Sequence, residues 1–155
     1  MAARRRIDPA AGAQALRQWA QEQDTSGDGA ANAPEGPAGA ERVAGGAATA
    51  SPTDRAARRR VTATAVRYTL EELAACAPGR SVEVRVPPFG VTQAVAGTVH
   101  RRGTPPSVVE TDAVTWLALA TGRLTWQDAL AGGALHASGE RCDLSAYLPL
   151  VRLPG

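Results

Sequence analysis

The sequence predicts an α+β domain over residues 58–155, built on a sheet with one wet face and preceded by an N-terminal helix and a disordered linker. Three observations lead there. Val82, Val84 and Val86 alternate with Ser81, Glu83 and Arg85, the period of a strand covered on one side only. The stretch 107–150 reads as a strand, two capped helices, a second strand and a closing helix, and it holds many of the large apolar residues of the chain. Upstream, residues 24–54 are mostly Gly, Ala, Pro, Ser, Asp and Glu, so ordering them would cost conformational entropy with little burial to offset it.

The N-terminal arm, residues 1–23, starts a helix at Asp8-Pro9, with Asp as the cap and Pro at the first helical position, and few breakers follow before Gln23. Leu16 and Trp19 lie three apart and form one apolar spot suited to docking on the main domain. The disordered linker is expected over 24–57. Two arginine triplets, Arg4-Arg5-Arg6 and Arg58-Arg59-Arg60, flank it. One reading gives them a weak contact with an anionic membrane surface. The plainer reading is a solvated charge cluster, because no aromatic residues are interleaved and acidic residues lie nearby.

In the first half of the domain, Thr69 and Glu72 have the spacing of a capping box, with Leu73, Ala74 and Ala77 behind them and Pro78-Gly79 as a stop. A helix is expected there. A strand over 81–86 ends at Pro87-Pro88, or is forced to an edge by it. A second strand over 89–99 would put Phe89, Val91, Val95 and Val99 on one face, and residues 101–106 have the composition of a turn.

In the second half, residues 107–110 are strand-like, and Thr111 or Asp112 can cap a helix that stops at Gly122. Thr125 and Asp128 resemble a capping box, Leu124 can pack back on Ala129, and Gly132-Gly133 closes that short helix. Residues 134–138 form a strand turned by Gly139. Asp143 then caps a last helix with Leu144, Tyr147 and Leu148 on one face, ended by Pro149.

Composition narrows the function classes. The chain has 155 residues, a net charge of +2 and seventeen basic residues, all of them Arg, a bias expected from a GC-rich genome rather than from a nucleic-acid partner. No run approaches the length of a membrane span, and the first residues lack the apolar core of a secretory signal, so a cytoplasmic protein is expected. Cys76 and Cys142 lie far apart without metal-ligand spacing and read as two free thiols. The only histidines, His100 and His136, fall in or beside strands. Glu110 and Asp112 fit a strand end and a helix cap better than an acid/base pair. No catalytic, metal or cofactor signature appears in the sequence, so a non-enzyme without cofactors is expected.

The runs V-V-E-T-D at 108–112, W-L-A-L-A-T-G-R-L at 116–124, W-Q-D-A-L-A-G-G-A-L at 126–135 and A-S-G at 137–139 occur in order and at fixed spacing. Through them the stretch 58–150 resembles the sterol carrier protein type-two family, in particular its actinobacterial branch of bacterial sterol-carrier orthologs. The resemblance implies a five-stranded mixed sheet with helices on one face and an apolar tunnel for fatty-acyl or sterol-like molecules. Two short helices and a closing helix would have to enclose such a cavity. The expected wall is therefore Trp116, Leu117, Ala120, Leu124, Trp126, Leu130, Tyr147 and Leu148, with Trp116 and Trp126 also able to plug it. Two alternatives come from other classes. One is a protein-interaction module without ligand that meets an unknown protein partner; the other is an accessory domain of a thiol-dependent isomerase.

Overall fold

The computed structural model describes residues 5–27, 50–98, 107–140 and 142–154. The body of the expected linker, Arg4, Val99, His100 and the turn 101–106 lie outside the described residues.

Helix α1 (Pro9–Gly27) starts where Asp8 Oδ2 accepts the Ala11 amide at 2.9 Å, and it continues past the expected end at Gln23. Its docking face is real: Leu16 is fully buried, with Ala15, Trp19 and Ala20 beside it. They pack against the second helix, α2 (Pro52–Cys76). Contact is close enough that a Cβ on Gly12 would lie 2.3 Å from the Tyr68 ring. At the far end of α1, Asp24 accepts both Arg123 Nη groups at 2.8 and 3.0 Å, tying the last turn to the domain.

Helix α2 corrects the expected start at Thr69. It begins at Pro52, well upstream, because Ser51-Pro52-Thr53-Asp54 is itself a capping box with Pro at the first turn. Ser51 Oγ accepts the Asp54 amide at 3.1 Å and the Asp54 carboxylate accepts the Ser51 amide at 3.2 Å. The Arg- and Ala-rich run behind it has no Gly or Pro to stop propagation. Thr69 lies inside the helix, where its hydroxyl turns back to the Ala65 and Val66 carbonyls at 2.9 and 3.0 Å. Residues 52–57 of the expected linker thus belong to a helix, as does the Arg58-Arg59-Arg60 triplet that flanks it, and residues 51–60 are exposed along their whole length.

Four strands form the sheet among the described residues, in the order β2-β1-β3-β4. They are β1 (Val82–Val86), β2 (Gly90–Ala94), β3 (Ser107–Thr111) and β4 (Leu135–Ser138). The expected fifth strand is not among them. The sheet is mixed as expected: β1 runs parallel to β3, and the β1·β2 and β3·β4 pairs are antiparallel. Strand β1 is central, so Pro87-Pro88 ends it rather than marking an edge. Register decides the faces. Val82, Val84 and Val86 are buried, and their partners Ala94, Ser107 and Val109 share that face. Val91 stands opposite Arg85 on the outer face and is 61% exposed, which reverses the facing expected for it. The tight turn at 87–89 sets that parity, because a one-residue shift in register exchanges the two faces of a strand.

Helix α3 (Ala113–Thr121) has the expected limits, capped by Asp112 and stopped by Gly122 in the left-handed conformation at φ 78°. Helix α4 (Trp126–Ala131) is capped by Thr125, whose hydroxyl accepts the Asp128 amide at 3.1 Å. The expected closing helix shrinks to a 3-10 turn, Ser145–Tyr147, with Asp143 Oδ1 accepting the Ser145 amide at 2.8 Å. Too few residues separate Asp143 from Pro149 to repay nucleation of an α-helix. The C-terminal segment beyond Pro149 is held by α3 instead, since the Leu150 and Val151 amides both donate to the Ala120 carbonyl, at 2.9 and 3.1 Å.

Candidate functional site

The eight expected wall residues do not share one cavity. Trp116, Leu117 and Ala120 are fully buried and Trp126 nearly so, and Trp116 fixes its indole by donating Nε1–H to Thr69 Oγ1 at 2.8 Å. Tyr147 is half-buried at the edge of the core, and Leu130 is exposed on α4. Leu124, Trp126 and Leu148 do meet, around a pocket of about 210 Å³ between α3, α4 and the C-terminal segment. Ligand pockets usually run from ~300 to 1,000 Å³, so this space is small for a chain-like molecule.

A larger cleft, about 1050 Å³, opens between α2, β2 and the segment before α1. Helical spacing builds one wall: Arg67, Leu70, Glu71 and Ala74 fall at i, i+3, i+4 and i+7 on α2 and line the cleft together. The other wall is the β1–β2 turn and β2 itself, with Phe89, Gly90, Val91 and Thr92. Arg5, Arg6 and Ile7 close one side. The Glu71 carboxylate holds that segment by accepting the Arg6 amide at 3.0 and 3.1 Å and the Ile7 amide at 3.1 Å. Arg5 pairs with Glu72. Arg67 Nε donates to the Phe89 carbonyl at 3.1 Å, linking the two walls, and the Arg59 guanidinium lies 5.7 Å from the centre of the Phe89 ring.

This cleft was missed in the sequence. Its helical stripe was legible in principle, as Leu70 and Ala74 flanked by Arg67 and Glu71, but its partners come from a turn and from a segment far upstream.

Residues able to carry chemistry are otherwise committed or isolated. Burial tends to raise the Asp112 carboxyl, but amide and hydroxyl donation, chiefly from Thr115, outweighs it and holds the group below its ordinary value. Asp112 is a helix cap, as its spacing implied. Glu110 faces His136 across the β3·β4 pair on the exposed side of the sheet, above a pocket of about 400 Å³ that also touches Asp112. Desolvation of its sulfur raises the Cys76 thiol, the opposite of what a reactive thiolate needs. No group of three or more His, Cys, Asp or Glu side chains that could hold a metal occurs among the described residues, and no helix there is long and apolar enough to cross a membrane.

Comparison with curated proteins finds none that matches the chain. A family model described as "Bacterial SCP ortholog" matches residues 58–150, which takes in most of α2, all four strands, α3, α4 and the 3-10 turn. With the match covering more than half of the chain and the ordered elements of the domain, the protein belongs to this bacterial family of sterol carrier protein-like domains.

Proposed function

We propose that the protein is a non-catalytic carrier that binds an apolar small molecule, fatty-acyl or sterol-like, and that the cleft between α2 and β2 receives it. The observation that carries this reading is the composition of the cleft. Ile7, Leu70, Ala74 and Phe89 supply its apolar lining, and its volume of about 1050 Å³ suits a chain-like ligand. Transfer of hydrocarbon out of water yields ~0.8 kcal/mol per methylene, so about fourteen carbons supply a gross drive near 10 kcal/mol. Part of that offsets lost ligand freedom. No catalytic group is required. Family membership supports the same class of ligand.

The smaller pocket, where Leu124, Trp126 and Leu148 of the eight expected wall residues meet, is the competing location, and one experiment separates the two. Binding of a fluorescent acyl probe is measured for the wild type, for Ala74→Trp, which narrows the α2–β2 cleft, and for Leu148→Trp, which fills the smaller pocket. Loss of binding in Ala74→Trp alone is expected. Loss in Leu148→Trp alone moves the site to the C-terminal pocket, and a wild type that binds no probe and carries no lipid in native mass spectra ends the carrier reading.

A further inference from the structure

The α2–β2 cleft is not purely apolar, and its polar groups are unevenly satisfied. Three guanidinium groups, those of Arg5, Arg6 and Arg67, border it against a single carboxylate, Glu71. Glu71 is spent on the Arg6 and Ile7 amides, although it lies one turn from Arg67 on α2. Arg5 is paired with Glu72, and elsewhere Arg85 and Arg123 have Glu83 and Asp24. Among the described residues, Arg67 is in no ion pair. Its Nε is fixed on the Phe89 carbonyl, which holds the base of the guanidinium while the two Nη groups remain without a carboxylate.

Resting on the reading of the cleft as the ligand site, we infer that Arg67 is its specificity-determining residue, taking the oxyanion head of an amphiphile whose apolar tail lies along Leu70, Ala74 and Phe89. A guanidinium presents paired N–H donors that match the two oxygens of a carboxylate, or two oxygens of a phosphate, and fixing Nε beforehand lowers the ordering cost of that contact. Arg6 adds a further positive charge to the lining of the cleft. A neutral alcohol or sterol of equal apolar area gains the tail burial and not the charge-assisted bonds. The cleft thus discriminates by head and tolerates variety in the tail.

The test is displacement of a bound acyl probe by hexadecanoate and by hexadecanol, in wild type, Arg67→Gln and Arg67→Lys, with thermal unfolding of each variant as the control for folding. Wild type is expected to prefer the acid by about tenfold or more, with the preference shrinking as salt is added. Arg67→Gln, which keeps an N–H donor for Phe89, should bring acid and alcohol within about twofold, chiefly by weakening the acid, and Arg67→Lys should restore part of the preference. Equal displacement by acid and alcohol in the wild type, or a preference that survives Arg67→Gln, overturns the role of Arg67 and leaves the cleft as an apolar site. Failure of both ligands to displace the probe, together with no Arg67-dependent binding of anionic vesicles, overturns the cleft reading as well. Co-sedimentation with phosphatidylglycerol and phosphatidylcholine vesicles identifies the source of the head. An Arg67-dependent preference for the anionic vesicles without binding of free acid assigns it to a membrane lipid, and binding of the free acid assigns it to a soluble amphiphile.

Discussion

Trp116 Nε1 donates a 2.8 Å hydrogen bond to Thr69 Oγ1, joining α3 to the interior of α2 where neither residue is exposed. Thr69 in turn donates its own proton to α2 carbonyls, so the hydroxyl is used as donor and acceptor at once. Thr69→Val keeps the shape and removes the acceptor, leaving a buried indole N–H without a partner. The expected cost is about 1–3 kcal/mol. Urea unfolding monitored by tryptophan fluorescence measures it, with Thr69→Ser much closer to wild type; an unchanged midpoint for Thr69→Val would show that the indole is satisfied elsewhere.

Docking of α1 depends on the absence of a side chain at Gly12, where a Cβ would stand 2.3 Å from the Tyr68 ring. Gly12→Val should lift α1 from α2 and expose Leu16 and Trp19, costing about 2–4 kcal/mol despite the better helix propensity of valine. Hydrogen exchange across residues 9–27 should quicken in Gly12→Val and remain as in wild type for Gln14→Ala, which changes an exposed position on the same helix.

Gly79 connects α2 to β1 at φ 156°, with the Val95 carbonyl 2.0 Å from where a Cβ would stand. That carbonyl also accepts the Ser81 amide at 3.0 Å, so it cannot move away without loss of a second contact. Gly79→Ala is expected to destabilise the domain by at least about 2 kcal/mol. The thermal midpoint reports it, and a shift of less than a degree would mean that the turn re-forms.

Capping by Asp112 makes stability depend on pH in a stated direction. Its carboxyl is held below the ordinary value of 3.8, so its contribution is fully present above that value and is lost as pH falls through the lower folded value. Asp112→Asn keeps an oxygen for the Thr115 amide and cannot titrate. Between pH 6 and pH 3 the variant should lose less stability than the wild type, as read from denaturant midpoints at the two pH values; equal losses would leave the Asp112 cap without a role in acid unfolding.

Local signals survived into the structure wherever the determinant was local. The limits of α3 follow from Asp112 and Gly122, and the start of α4 from Thr125, because a cap needs only a side-chain oxygen and the amide three residues on. The inward Val82, Val84 and Val86 follow from a period of two, and the family from four short runs in fixed order. Thr69 shows where local reading stops. Its T-x-x-E spacing is a valid cap pattern, yet the stronger box at Ser51 starts the helix first and leaves Thr69 to serve Trp116. The outward facing of Val91 depends on which residue of β1 it opposes, and the short C-terminal turn depends on how little chain remains before Pro149. The α2–β2 cleft lay furthest from view. Its walls come from residues 5–7, 67–74 and 89–92, and only the pairing of β2 beside α2 and the hold of Glu71 on the Arg6 and Ile7 amides bring an unpaired arginine and an apolar lining to one place. Sequence alone determined which segments could be helix or strand, since that is set by contacts a few residues apart. Tertiary structure decided what each face meets, because long-range packing joins segments whose individual patterns do not name their partners.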